Sequence, residues 1–296
     1  MQDKTRAFLN LHISVFLFGF TAILGDLISV NFISIVWWRS FLTFGIFLFI
    51  IRLGVLFKSL LWKNISQHFL IGVFLAVHWL GFYGSIKISN PTMALIALSS
   101  SSLMTALIEP VINKNTKWRK VDIVLGLAII PGFILIFYNT DSMQQIGLWI
   151  GLGATFLGVI FSILNKKWLV IGQELKLSFI QMTAVWVFLG FLLIFSNLKF
   201  EVPKGIDWFY FAIFTLFCTV ISYYLYLKAM NHLNAFDVSL AFNMEPVYGI
   251  IVAALLLHDH KDISMLVYMG MVFIFSIVFL DTFLKLRKDK LKFKKQ

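Results

Sequence analysis

Three ionisable side chains, Arg39, His78 and Glu245, fall well inside long apolar runs of this 296-residue chain. A charge inside a hydrocarbon layer costs roughly 2.5–3.5 kcal/mol on insertion scales, so such residues are where binding or proton chemistry is sought. At about 1.5 Å per helical residue, Glu245 and His78 lie roughly 15 Å into their runs and Arg39 roughly 9 Å from one face. Ser99 to Ser102, Trp79, Trp186 and Asn243 fall in the same central layer. That layer offers a carboxylate, an imidazole, hydroxyls, an amide and two indoles, which are expected to face a shared cavity. Trp79 and Tyr83 are one helical turn apart on one face, so they could stack on a planar solute or simply pack.

Glu245-Pro246 is the sharpest local signal. Proline at 246 cannot donate to the Phe242 carbonyl and clashes with it, so a helix break is expected at Pro246. Membrane helices tolerate such a break where the freed carbonyl meets another helix or a wet cavity. An acid beside it could bind a cationic amine or a proton, or it could pair with Arg39 and hold the fold together. Arg39 could equally snorkel toward the interface. His78 could titrate near neutral pH or serve as a packing residue. Ser99 and Ser102, with Thr105, could hydrogen-bond a solute or cement helix contacts. His258-Asp259-His260 with Asp262 reads as a polar loop, since two rings spaced by two residues rarely meet one ion. No metal and no cofactor are expected.

The elements that must position these residues follow from composition. Hydrophobic residues make up 60% of the chain, charged residues only 13%, and the mean hydropathy is +0.89. A soluble domain is typically about 25% charged, and an apolar surface of this extent would aggregate. The 33 phenylalanines exclude disorder, and the single Cys218 excludes a disulfide scaffold. Ten apolar stretches fit the roughly 20 residues a crossing needs: 8–28, 33–51, 68–88, 91–112, 122–138, 146–164, 177–196, 207–227, 235–257 and 263–284. The first reads as a span and not a removable signal, because it is long and lacks a clear small-residue cleavage site. With the first residues inside, 20 of the 25 lysines and arginines fall on the cytoplasmic side and 4 outside, Arg39 being in a span. This is the expected bias for both termini in the cytoplasm. It places the +11 net charge at a membrane surface, and no nucleic-acid partner is expected. The basic tail beyond Asp281 fits topology fixing, or attraction of anionic lipids. Trp37, Trp38, Trp62, Trp149, Trp168 and Trp208 read as an interfacial belt. Gly147 and Gly151 permit close helix approach, within the chain or in a homodimer.

Five spans per half would invert the second half relative to the first, an arrangement that frames binding sites near the midplane. The halves echo each other in Phe82–Lys87 and Tyr223–Lys228, and in Gly126 and Gly270. Phe18-Gly19-Phe20, Trp38-Arg39-Ser40-Phe41, Tyr83 to Lys87 with Asn90-Pro91, Glu245-Pro246-Val247-Tyr248 and Gly270 together resemble the drug/metabolite transporter superfamily in its EamA-like form. The chain departs from that pattern at Ser101-Ser102, at Glu109-Pro110 and at Asp259.

The resemblance implies an all-α transmembrane protein of ten membrane-spanning helices in two inverted five-helix repeats, residues 1–140 and 141–296. It implies a secondary active transporter, an exporter of a small organic metabolite such as an amino acid, working by alternating access in a bacterial inner membrane. Membrane lipids and a proton or counter-substrate are the further partners it suggests. The same fold could serve a lipid-linked flippase. An intramembrane enzyme lacks support, because neither H-E-x-x-H nor G-x-S-x-G occurs, and without GxxxxGK[ST] no ATP hydrolysis is expected.

Overall fold

The computed structural model describes residues 2–51, 60–114, 116–118, 120–128, 130–233, 238, 241–242, 244–256 and 264–293. Among these residues the only regular secondary structure is helix, with no strand. The helices are α1 (Gln2–Gly19), α2 (Thr21–Leu27), α3 (Phe32–Ile50), α4 (Trp62–Ile88), α5 (Pro91–Leu98), α6 (Ser101–Ile112) and α7 (Lys120–Ala128) in the first half. There follow α8 (Ile130–Tyr138), α9 (Ser142–Trp168), α10 (Glu174–Phe195), α11 (Asp207–Thr215), α12 (Ser222–Met230), α13 (Met244–Leu256) and α14 (Met265–Phe293). A wide π turn, Leu216–Ile221, joins α11 to α12.

Several starts are written in the sequence. Asn31 accepts from Ser34 N, Asn90 accepts from Met93 N ahead of Pro91, and Asp141 forms a reciprocal capping box with Gln144. Each satisfies amide donors that a helix start leaves unpaired.

Six helices or joined helices are long and apolar enough to cross a membrane, and the pair α5 and α6, bent by 42°, makes a seventh if taken as one span. Of the ten expected spans, the first three and those at 146–164, 177–196 and 207–227 meet this test of length and composition, and 91–112 does so if the bent pair is one span. The stretches 122–138, 235–257 and 263–284 are helical where described, and their described residues alone do not make a helix that meets that test.

The bend between α5 and α6 falls on the serine run. Ser99 Oγ donates to the Ile96 carbonyl and Ser100 Oγ to the Ala97 carbonyl, both at 2.6 Å. Hydroxyls that bond back to the preceding turn compete with the helix ladder and bend it.

Packing joins the two halves of the chain directly. The most extensive contacts are α4 on α9 and on α10, α1 on α12, α3 on α10, α5 on α9 and α8 on α14. Glycines set the closest crossings. A Cβ on Gly132 would lie 3.1 Å from the Gly270 carbonyl, and one on Gly270 would lie 3.0 Å from that of Gly132. The spaces at Gly147 and Gly151 are filled by Ser85, Ser89 and Ala97 of the same chain. That small-residue stripe is used inside the molecule, where Ser85 Oγ donates to the Gly147 carbonyl at 2.7 Å.

Candidate functional site

Two cavities of about 110 Å³ and 80 Å³ meet in the middle of the helix array. Their common wall is His78, Leu98, Phe161, Tyr226, Phe242 and Glu245. The larger continues past Ser101, Thr105 and Ser162 to Lys166. The smaller continues past Thr21, Trp79 and Tyr83 to Arg39. Both halves of the chain contribute, because α4 and α5 supply one side and α9, α12 and α13 the other.

Arg39, on α3, closes the smaller cavity and is 1% exposed. Its Nε donates to Thr219 Oγ1 at 2.7 Å, Nη1 to the Tyr83 hydroxyl at 2.5 Å and Nη2 to the Cys218 carbonyl at 2.9 Å. Its guanidinium carbon lies 3.8 Å from the centre of the Trp79 ring and 4.3 Å from that of Phe214. The cation is thus held between two aromatic faces, where its charge is attracted to the ring quadrupoles. Two of its partners come from the wide turn Leu216–Ile221, and π turns of this kind recur at functional sites. Arg39 is not snorkelling, and its three hydrogen bonds end on neutral oxygens and not on Glu245.

His78 is fixed by one bond. Its Nδ1 lies 2.7 Å from the Ala154 carbonyl, which can only accept, so Nδ1 carries the proton. Gly158 makes room for the ring, since a Cβ there would lie 2.8 Å from His78 Nδ1. Glu245 enters from the first turn of α13, and no hydrogen bond or ion pair reaches its carboxylate among the described residues. Pro246 occupies that same first turn and is buried. Asn243 lies outside the described residues, as does the His258–Asp262 segment, so the break expected at Pro246 is not described.

The serine run divides. Ser99 is buried and bonded to its own helix, and neither Ser99 nor Ser102 lines either cavity. Ser101 and Thr105, one turn apart on α6, are the cavity-facing hydroxyls. The bend at Ser99 and Ser100 rotates which face of the run looks inward, and a straight-helix reading misses that rotation. Trp186 also stands apart, stacked on Phe44 at 4.8 Å in a cluster with Trp37 and Phe41.

Thr21, Thr219, Ser162, Lys166 and Tyr226 were not singled out from sequence. Ser162 and Tyr226 share a hydrogen bond of 3.1 Å at the cavity wall. Lys166 Nζ donates to the carbonyls of Met230 and Leu233 at 2.8 Å and 2.7 Å, covering the end of α12. In sequence Lys166 counts only as one of the loop cations.

Beyond Arg39 a set of hydrogen bonds ties the chain segments around residues 26–31 to Lys87, Glu201 and Asp207. Ser29 donates through N and Oγ to the Asp207 carboxylate at 2.9 Å and 2.6 Å. Asn31 N donates to Glu201 at 2.6 Å, and Lys87 Nζ donates to the Asp26 and Ile28 carbonyls.

Residues 145–281 match the family model described as the EamA-like transporter family. No curated protein sequence matches the chain. A solved crystal structure of a protein aligns with a TM-score of 0.65 over 96% of this chain and 98% of that one. At 13% identity that likeness is one of fold alone.

Proposed function

We propose, from the match of residues 145–281 to the model of the EamA-like transporter family, that this integral membrane protein is a secondary transporter of that kind. It moves a small organic metabolite through the paired cavities by alternating access, and it exports it. The family is one of transporters and not of enzymes. The observation that carries the reading is the carboxylate of Glu245, set without a described partner where the two cavities join. An ionisable group kept at that depth is costly unless a ligand, an ion or a proton uses it.

The cavity chemistry favours an amphipathic amine such as an amino acid. Glu245 would take the amine, Phe161, Phe242 and Tyr226 the apolar body, and Ser101 and Thr105 the remaining polar groups. Arg39, Trp79 and Tyr83 form the lid of the closed end, and His78 flanks the joint between the two spaces. A proton or a counter-substrate supplies the drive.

The ten-span architecture with two inverted repeats, residues 1–140 and 141–296, is part of this reading. Its support is a contact pattern that survives exchange of the halves. The first span packs on the eighth (α1 on α12) as the sixth packs on the third (α9 on α4), and the second meets the seventh (α3 on α10). Ser14 Oγ bonds the Ser222 carbonyl at 2.7 Å, as Ser85 Oγ bonds that of Gly147. The lysine and arginine bias puts both termini in the cytoplasm of a bacterial inner membrane, with the Arg39 end facing outward.

Uptake and counterflow in proteoliposomes, across a panel of amino acids, nucleosides and sugars, tests the proposal in the wild type and Glu245→Gln. Saturable flux of one class, lost in the variant, is the expected result. Folded protein that moves none of them would sink it.

A further inference from the structure

A second buried polar cluster stands beside the cavities and belongs to neither list of substrate contacts above. His68 on α4, Asn165 on α9 and Gln181 on α10 are each 0% exposed, and Tyr223 on α12 is 2% exposed. Chemistry fixes the direction of each bond. The Trp168 carbonyl can only accept, so His68 Nε2, 3.0 Å away, carries the proton. His68 Nδ1 therefore accepts, from Gln181 Nε2 at 2.6 Å. The same amide nitrogen donates to Asn165 Oδ1 at 2.8 Å. Gln181 Oε1 accepts from the Tyr223 hydroxyl. From Tyr223 through Gln181 and His68 to Trp168, each group donates to the next. Tyr223 also lines the Arg39 cavity, with its ring stacked on Phe161 at 6.1 Å. Asn165 Nδ2 is buried without a hydrogen-bond partner.

We propose that His68 is a proton-binding site, separate from Glu245 and His78, whose charge is read at the cavity wall through Gln181 and Tyr223. A proton taken from water adds an N–H at Nδ1, and no other bond forms or breaks. That N–H faces the Gln181 amide nitrogen, donor against donor. The amide must turn over, so that its oxygen accepts from His68 and its nitrogen meets Tyr223. Tyr223 then accepts instead of donating, and its own O–H is released toward another acceptor. The turned amide also offers an oxygen to Asn165, and the Nδ2 that lacks a partner in the present arrangement gains one when Asn165 reorients. Both arrangements bond the four side chains to one another, which is the requirement for a two-state buried network.

Most other ionisable groups on the surrounding helices are engaged elsewhere. On α9, Lys166 reaches the ends of α12, and Lys167 donates to the Ile112 carbonyl at 2.9 Å. On α10, Glu174 accepts from Gly172 N at 2.8 Å and from Asn231, and Lys176 lies in the first turn. On α12, Tyr226 bonds Ser162, and Lys228 lies 3.4 Å from the Tyr224 hydroxyl. On α3, Arg39 is bonded to Thr219, Tyr83 and Cys218, and on α4 itself Lys63 lies near the start of the helix, five residues before His68.

The test needs no transported solute, so it stands apart from the transport reading. Nitrogen-15 NMR on histidine-labelled protein in lipid nanodiscs, from about pH 8 to about pH 5, spans the range where imidazole changes charge. The expected spectrum holds an Nε2–H tautomer, lost in His68→Gln, beside an Nδ1–H tautomer from His78. The first should gain its second proton on acidification. Maleimide labelling of Ser162→Cys in a Cys218→Ser background reads the cavity wall over the same range. Its rate should change with pH, and the change should be lost in Gln181→Leu, which keeps His68. An Nδ1–H tautomer at His68, a His68 that stays neutral throughout, or a pH response that survives Gln181→Leu would each overturn the proposal. If His68→Gln fails to fold, chemical shifts coupled to the Gln181 amide assign the ring instead.

Discussion

Arg39 and Glu245 border the same cavity, yet their surroundings are opposite. Arg39 is enclosed by three hydrogen bonds and two aromatic faces, drawn from α4, α11 and the turn before α12. Glu245 sits on the first turn of α13 with no described partner for its carboxylate. A buried charge whose donors are used is part of the scaffold, and removing it leaves its acceptors stranded. A buried charge whose oxygens are not used is open to a ligand. On the proposed transport reading, this difference gives the Arg39 end a structural role and leaves Glu245 for the solute.

Glu245→Gln should produce the largest effect, because the amide keeps the shape and removes the charge. Flux should fall at least about a hundredfold, while the melting temperature in detergent stays within a few degrees of the wild type. Retained flux would erase the contrast with Arg39.

Arg39→Met sharpens it from the other side. Hydrogen bonds to a charged donor contribute about 1.5–3 kcal/mol each and do not add simply, so a loss of about 3 kcal/mol is expected. Thermal unfolding measures it, and a wild-type melting curve would move Arg39 out of the scaffold. Gly72→Ala is expected to cost about 1–3 kcal/mol by overpacking. Its new Cβ would lie 2.5 Å from the Gln181 carbonyl, and backbone cannot yield as a side chain can. Gly153→Ala, with nothing within 4 Å, is the control and should melt like the wild type.

Asp207→Asn weakens the stitched end beyond Arg39. It should cost about 1–2 kcal/mol through the Ser29 bonds. The informative readout is local, as faster hydrogen exchange at the amides of residues 29–31, and unchanged protection there would show that the stitch is not needed. The smallest effect concerns the hydroxyls. Ser101→Ala and Thr105→Val should raise KM a few-fold, on the order of one hydrogen bond each, while Ser102→Ala leaves it alone. The reverse order would mean that the bend at Ser99 and Ser100 does not set the cavity face.

Much of this was legible beforehand because single residues report it. Glu245, His78, Arg39, Trp79 and Tyr83 stand out as polar or aromatic groups at depth in apolar runs, and the structure gathers all five around one cavity. The caps at Asn31, Asn90 and Asp141 are local and equally visible. The serine run was legible only as a group, since which hydroxyl faces inward depends on a 42° bend. Lys166 was hidden for another reason. Its sequence context is that of a loop cation, and only the approach of α12 turns it toward the Met230 carbonyl and the cavity. Ser162, Thr219 and Tyr226 carry no local mark that separates them from any other polar residue in a membrane helix.

Composition and charge asymmetry decided that this chain enters a membrane as helices, because apolar length and lysine placement act residue by residue on transfer from water. The depth of each ionisable group followed from its position along a helix. Tertiary structure alone decided who bonds to whom: that Arg39 is answered by Thr219 and Cys218 and not by Glu245, and that two histidines hold opposite tautomers. Those outcomes depend on carbonyls and hydroxyls brought together from helices up to 180 residues apart in the chain. Hydrogen bonding acts over about 3 Å, a range that sequence spacing does not encode.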